Sequence, residues 1–72
     1  MKKKQQILIR FGKRVRAERV KRVISQERLG ELARVHRTYI GMIERAEKNI
    51  TMTNIEKIAK ALGVQPGQLI DL

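Results

Sequence analysis

Apolar residues recur every three or four positions along the chain, which is the period of an amphipathic α-helix. No stretch alternates as a half-buried β-strand would. The pattern predicts helices over about 5–22, from Ser25 to Ala33, over 36–45, from Thr53 to Leu62, and from Pro66 onward. The residues expected to face the core are Ile7, Phe11, Val15, Leu29, Leu32, Ala33, Ile40, Ile43, Ile55, Ile58, Ala59 and Leu62. We therefore predict a single all-α domain of five helices over residues 1–72, with a basic N-terminal arm over about 1–6.

The residues at the predicted helix ends support these boundaries. Ser25 occupies an N-cap position, and Glu27 follows in the first turn, where a negative charge interacts favourably with the helix dipole. Thr53 and Glu56 have the spacing of a capping box, which predicts that the fourth helix begins at Thr53. Gly63 follows the last apolar position of that helix, as a C-terminal cap does.

The composition argues against several classes of function. The chain contains no Cys and one His, so neither a disulfide nor a metal site is predicted, and no cofactor is expected. Glu44 has no second carboxylate, nucleophile or metal cluster to act with, so the chain is not predicted to be an enzyme. The basic start has too few apolar residues for a signal peptide, and no apolar run approaches a membrane span. We expect a soluble cytoplasmic protein.

The charge distribution points to a polyanionic partner. The formal net charge is +10, and residues 1–22 hold ten bases and one acid against seven bases and six acids in 23–72. Such an excess favours nucleic acid, while a membrane surface and simple solubility are the alternatives. One Phe and one Tyr give no set of aromatic rings on which unpaired bases would stack. Double-stranded DNA is therefore the preferred partner.

The segment 25–45 consists of two short predicted helices with a connection of about three residues, as in a helix-turn-helix unit. It also matches the spacing SQxxLxxxAxVxxxxIxxIER. On these residues the chain resembles the Cro/C1-type (XRE family) helix-turn-helix DNA-binding domains over about 9–70. RTYI, then IER, then a basic residue followed by Asn, Ile and Thr, is similar to the controller proteins of restriction–modification systems. The resemblance implies a homodimeric transcriptional regulator of palindromic operators. Phage-type repressors and toxin-binding antitoxins are alternatives, and RNA polymerase is a further candidate partner.

The docking geometry of this unit predicts the DNA contacts. The first turn of the second helix points at base edges, where Arg37 suits guanine and Thr38 suits a thymine methyl group. The residues predicted to contact bases are Arg37, Thr38, Tyr39 and Met42, with packing on the domain as the alternative for Tyr39. Those predicted to contact phosphates are Gln26, His36, Lys48, Asn49 and Thr51. The resemblance further implies a structural ion pair between Arg19 and Glu44.

Two further expectations concern the turns and the C-terminal segment. Val23 and Arg34 occupy turn positions where the family commonly has Gly, so positive φ at Val23 would be strained by about 1–3 kcal/mol. Gly30 stands where Ala is usual, and Ala46 where Gly is usual. Four apolar residues near the C-terminus are predicted to form the dimer contact, with closure of the monomer core as the alternative; they are Val64, Leu69, Ile70 and Leu72.

Overall fold

The computed structural model describes residues 5–70, which form five helices and no strand. The helices are α1 (Gln6–Lys21), α2 (Gln26–Ala33), α3 (Arg37–Glu44), α4 (Met52–Leu62) and α5 (Pro66–Ile70). The predicted all-α class and the order of five helices are confirmed. Most of the predicted N-terminal arm lies outside the described residues, as does Leu72. Within residues 5–70, no helix has the length and apolar character needed to cross a membrane.

All five helices contribute to one apolar core. α3 packs against α1 and α2, α4 packs against α2, and α5 packs against α1 and α4. The buried core residues are Phe11, Val15, Leu29, Ala33, Ile40, Ile43, Ile58, Ala59, Leu62 and Leu69. Every residue of this buried cluster is apolar. The apolar face of α3 is therefore buried against α1 and α2, and its other face is exposed.

Two residues predicted to belong to the core are instead at its edge. Ile7 and Leu32 each keep 45% of their surface exposed. Ile7 lies in the first turn of α1, at the rim of an apolar groove, and Leu32 lies at the rim of the α2–α4 contact beside Lys57 and Lys60. Both have the correct helical spacing, but the neighbouring helices leave almost half of their surface uncovered.

The capping residues confirm three helix ends and correct one. Ser25 Oγ accepts a hydrogen bond from the Arg28 amide at 2.9 Å, and Gly63 ends α4 in the left-handed conformation with φ 73°. α5 begins at Pro66, as predicted. The prediction that Thr53 caps α4 was wrong, because Thr51 Oγ1 accepts the hydrogen bond from the Asn54 amide at 3.1 Å. Thr53 already lies inside the first helical turn.

Three side-chain-bearing residues adopt the left-handed conformation that favours glycine. Val23 has φ 55°, Arg34 has φ 60° and Ala46 has φ 58°. Val23 follows the end of α1 and is almost fully exposed, so its side chain gains little packing to offset the strained backbone. The turn is held instead by Arg19, whose Nη1 donates to the Ile24 carbonyl at 2.9 Å. Positive φ is therefore present at both Val23 and Arg34, despite the strain expected for Val23.

Candidate nucleic-acid interface

The connection between α2 and α3 spans only residues 34–36. The Val35 amide donates to the Gly30 carbonyl at 2.9 Å, and Arg34 supplies the left-handed residue that ends α2. A Cβ atom at residue 30 would lie 2.7 Å from the Val35 carbonyl oxygen, so glycine allows this close turn. The tight connection is the geometry of a helix-turn-helix unit.

The first turn of α3 faces solvent while its later positions enter the core. Ile40 and Ile43 are buried, whereas Arg37 and Thr38 are exposed. His36 caps the helix, since its Nδ1 accepts a hydrogen bond from the Thr38 amide at 3.0 Å. An accepting Nδ1 places the proton of a neutral imidazole on Nε2, which can donate outward. The exposed first turn therefore carries three of the residues predicted to contact DNA.

Arg37 has a partner that the sequence patterns did not identify. Its Nη1 donates to Glu27 Oε2 at 2.8 Å, and both side chains are largely exposed. The bond spans the turn, joining the first turn of α2 to the first turn of α3. Helix periodicity relates residues on one helix only, so it gave no sign of this pair. Glu27 thus holds the guanidinium group that we predict to contact a base.

A partly buried network joins α1, α2 and α3 behind this surface. Arg19 forms two hydrogen bonds to the Glu44 carboxylate, from Nε at 2.7 Å and from Nη2 at 3.1 Å. The Arg19 and Glu44 side chains are 13% and 4% exposed, and their hydrogen bond raises the pKa of Arg19. Gln26 Nε2 donates to Glu44 Oε1 at 3.1 Å. The ion pair implied by the resemblance is present, and it positions Gln26.

Gln26 can serve this network and still contact a phosphate. Its amide nitrogen carries two hydrogens, and the bond to Glu44 uses one of them. The Gln26 and Arg45 side chains lie over Gly41, where an added Cβ would be 3.4 Å from Gln26 Oε1 and 3.0 Å from Arg45 Nη1. Both side chains would have to move before DNA could approach the backbone at Gly41. Met42, beside it, is half-buried.

Tyr39 links α3 to α4. Its hydroxyl oxygen accepts a hydrogen bond from Asn54 Nδ2 at 2.9 Å, and its ring packs against the core. The hydroxyl proton is left to donate to another group. Thr51 caps the same end of α4. Tyr39 therefore packs on the domain, as one of its two predicted roles required. Its contact with a base stays a prediction.

The remaining predicted phosphate contacts lie at helix ends or in a loop. Gln26, His36 and Thr51 stand at the start of α2, α3 and α4, where free backbone N–H groups favour an anion. Lys48 and Asn49 are exposed in the loop between α3 and α4. The contacts of these five residues with phosphates stay predictions.

The predicted dimer contact requires a correction. Leu69 is 0% exposed within the monomer, so it closes the core and cannot contact a second subunit. Val64 and Ile70 are half-buried and pack against the same core. Periodicity marked Leu69 as apolar but could not show that α5 folds back onto α1. Ile70 also lines an apolar groove of ≈ 290 Å³. The other residues that line this groove are Ile7, Leu8, Phe11, Asn49, Ile50 and Ile55.

Comparison with known proteins agrees with this geometry. A sequence model described as helix-turn-helix matches residues 15–69. The chain belongs to the helix-turn-helix family. Its relatives include the control protein C.BamHI of Bacillus amyloliquefaciens, which is 52% identical over 66 residues, covering 90% of this chain and 82% of the relative. This helix-turn-helix protein is thus a DNA-binding transcription regulator related to restriction–modification controller proteins.

Two solved structures extend the comparison. The restriction–modification controller protein C.AhdI from Aeromonas hydrophila has a TM-score of 0.84 and 40% identity, over 86% of this chain and 94% of that one. The P22 c2 repressor in complex with a synthetic operator has a TM-score of 0.79 and 35% identity, over 83% of this chain and 91% of that one. The helix-turn-helix fold described above is therefore shared with both a controller protein and an operator-bound repressor.

Proposed function

We propose that this regulator binds a palindromic operator in duplex DNA as a homodimer and controls transcription of a restriction–modification system. The observation that carries the proposal is the division of α3, which buries Ile40 and Ile43 and exposes Arg37 and Thr38. A helix fixed in this way can enter the major groove with its first turn against base edges. The relationship to C.BamHI supports the restriction–modification context.

Arg37 is proposed to exchange one partner for another on binding. In the free protein its guanidinium donates to Glu27, and on DNA it would donate to guanine O6 and N7. Guanine can accept two hydrogen bonds from Arg37, whereas Glu27 accepts one, so we expect the exchange of partners to be favourable only at the correct base. Thr38 would contact the neighbouring base through its methyl or hydroxyl group.

The phosphate contacts would orient α3 in the groove. Gln26, His36 and Thr51 place donors at three helix starts, where the helix dipoles also favour negative charge. Lys48 and Asn49 add contacts from the loop after α3. Such contacts set the register on the duplex without distinguishing sequences, so they supply affinity and Arg37 supplies specificity.

The dimer is proposed to form across the apolar groove, which Ile70 lines. The side chain of Ile7 at its rim is almost half exposed. A two-fold axis through this surface would repeat the reading helix, and half-sites one turn of B-DNA apart require a spacing of about 34 Å. This surface replaces the predicted contact through Leu69.

The proposal is tested by selecting bound sequences from random duplexes and measuring affinity for the selected site. Arg37→Ala should cost about 1–3 kcal/mol on that site and relax the preference at one base pair of each half-site. Lys48→Ala is the control, because losing a phosphate contact should weaken all sequences alike and lower the salt slope by about 1. Equal losses of Arg37→Ala on the selected site and on random DNA would overturn the assignment.

The regulatory context has its own test. A gene for a methyltransferase and one for an endonuclease are expected beside the gene of this protein. The operator-bound P22 c2 repressor favours a phage-type repressor as the second candidate. An operator within a phage immunity region, and none before a restriction–modification operon, would select that candidate. Contact with RNA polymerase stays a prediction of the controller function.

A further inference from the structure

The outer side of α1 carries a row of cations that the proposed operator contacts do not use. Arg10, Lys13, Arg14 and Ala17 line a shallow surface depression of ≈ 350 Å³. Lys21 continues the same row one turn further on, and these five residues are called the α1 basic stripe. Their spacings of three and four place them on one side of the helix. From Arg10 to Lys21 the stripe extends about 16 Å at about 1.5 Å per residue.

The stripe lies on the side of α1 that is turned away from α3. Gly12 faces α3, because a Cβ atom there would overlap the Ile43 carbonyl oxygen and lie 2.9 Å from that of Glu44. At about 100° per residue, the five stripe positions fall between about 100° and 200° from Gly12 around the helix. Arg19, on the Gly12 side, is the α1 cation that reaches α3. A duplex seated on α3 would therefore not lie against the stripe.

The stripe carries a net positive charge. Glu18 is the one acid within α1, and it is bound to Arg22, from which Nη1 donates to Oε1 at 2.6 Å. That hydrogen bond lowers the pKa of Glu18, and the charges of Lys21, Arg22 and Arg14 lower it further. A single carboxylate, which is bonded to Arg22 and also interacts with Lys21 and Arg14, cannot neutralise the four cations of the row.

The chemistry of the stripe favours a duplex backbone over other polyanions. A membrane-surface helix needs a large continuous exposed apolar face beside its charges. Phe11 and Val15 of α1 are buried in the core, and its exposed large apolar residues, Ile7 and Val20, lie near opposite ends of the helix. The stripe has no aromatic side chain on which unpaired bases could stack, which disfavours single strands. Ala17 leaves room between the longer side chains for the backbone to approach.

We propose that the α1 basic stripe binds the phosphate backbone of a second DNA duplex while α3 occupies the operator. Duplex DNA carries one charge per about 1.7 Å of its axis, so a row of about 16 Å can engage several phosphates at once. The protein would then hold two duplex segments together, one by sequence and one by charge alone. This goes beyond the proposed function, since the second contact does not depend on which operator α3 recognises.

The test measures capture of a second duplex. Immobilised duplex carrying the selected site is saturated with the full chain and washed, and a labelled random duplex is then added. Lys13→Gln with Lys21→Gln should reduce this capture about 10-fold, because two cations on the stripe are lost. Operator affinity and its salt slope should stay unchanged. Lys57→Gln with Lys60→Gln is the matched control, since it removes two exposed lysine charges from α4 and should leave capture intact.

Each other outcome would overturn the proposal. Equal loss in both double variants would show a general charge effect. A lower salt slope on the operator itself, by about 2 for Lys13→Gln with Lys21→Gln, would show that the stripe contacts the same duplex. Binding to phosphatidylserine vesicles that exceeds duplex capture, and is lost in that variant, would assign the stripe to a membrane surface. A chain that does not prefer its selected site refutes the proposed function, while the comparison of the two double variants still decides the stripe.

Discussion

At the residue scale, the exposed ion pair between Glu27 and Arg37 is expected to affect how strongly the protein prefers its selected site over random DNA. Exposed pairs contribute at most about 1 kcal/mol to stability, so this one matters for what Arg37 can bind rather than for the fold. Glu27 competes with DNA for the guanidinium, and its carboxylate also repels nearby phosphates. A partner that offers Arg37 only one hydrogen bond, such as a base other than guanine, gains least from displacing Glu27.

Glu27→Gln is therefore expected to raise affinity for the selected site more than affinity for random duplex, because Arg37 has to leave Glu27 only when it contacts the correct base. The ratio of selected-site affinity to random-duplex affinity should rise, by up to about 5-fold, because at most about 1 kcal/mol of competition is removed. Competition binding at fixed salt measures that ratio. Glu31→Gln is the control, since Glu31 pairs with Arg28 on the same helix with similar exposure. A ratio that stays constant in Glu27→Gln would mean that the pair has no part in recognition.

At the element scale, the start of α4 shows how a local motif can mislead. Thr53 and Glu56 fit a capping box, yet the extended backbone at Thr51 begins the helix two residues earlier. Both threonines offer the same hydroxyl, and only the path of the preceding loop decides between them. Ser25 and Gly63 had no such competitor nearby, so the sequence patterns located those ends correctly.

Thr51→Ala is expected to destabilise the protein by about 1 kcal/mol, because it leaves an amide at the start of α4 without a hydrogen-bond acceptor. Thr53→Ala should change stability by less than about 0.5 kcal/mol. Urea unfolding followed by circular dichroism gives both values. If Thr53→Ala were the more damaging change, the capping box would be the true start of α4.

The contact of α1 with α3 depends on a residue with no side chain. A methyl group at Gly12 would overlap the carbonyl oxygens of Ile43 and Glu44, and neither helix backbone can yield cheaply. Gly12→Ala should therefore destabilise the fold by about 1–3 kcal/mol despite the better helix propensity of Ala. Thermal unfolding measures the effect. Gly67→Ala serves as control, because nothing lies within 4 Å of the added atom, and it should be neutral or slightly stabilising.

At the scale of the whole molecule, the sequence predicted the fold better than the surfaces. Helical periodicity located all five helices, since each needs an apolar stripe to pack. It could not distinguish Leu69, which is buried in the monomer, from Ile7, which is half exposed, because both are apolar residues at suitable spacing. Likewise, the position of Arg37 on α3 was enough to predict a contact with a base, but the bond of Arg37 to Glu27 depends on how two helices cross. Contacts between elements require the assembled fold.

The position of the dimer surface gives the last prediction. Ile7 and Leu32 are equally exposed apolar residues, and they lie on different surfaces, one at the apolar groove and the other beside α4. Ile7→Gln should weaken the dimer about 10-fold or more in sedimentation equilibrium, because it places an amide where the second subunit would bury an apolar side chain. Leu32→Gln should leave the dimer dissociation constant unchanged, since Leu32 does not line the groove. A dimer weakened by Leu32→Gln and not by Ile7→Gln would move the interface to the α2–α4 surface, and the spacing of the two reading helices would change with it.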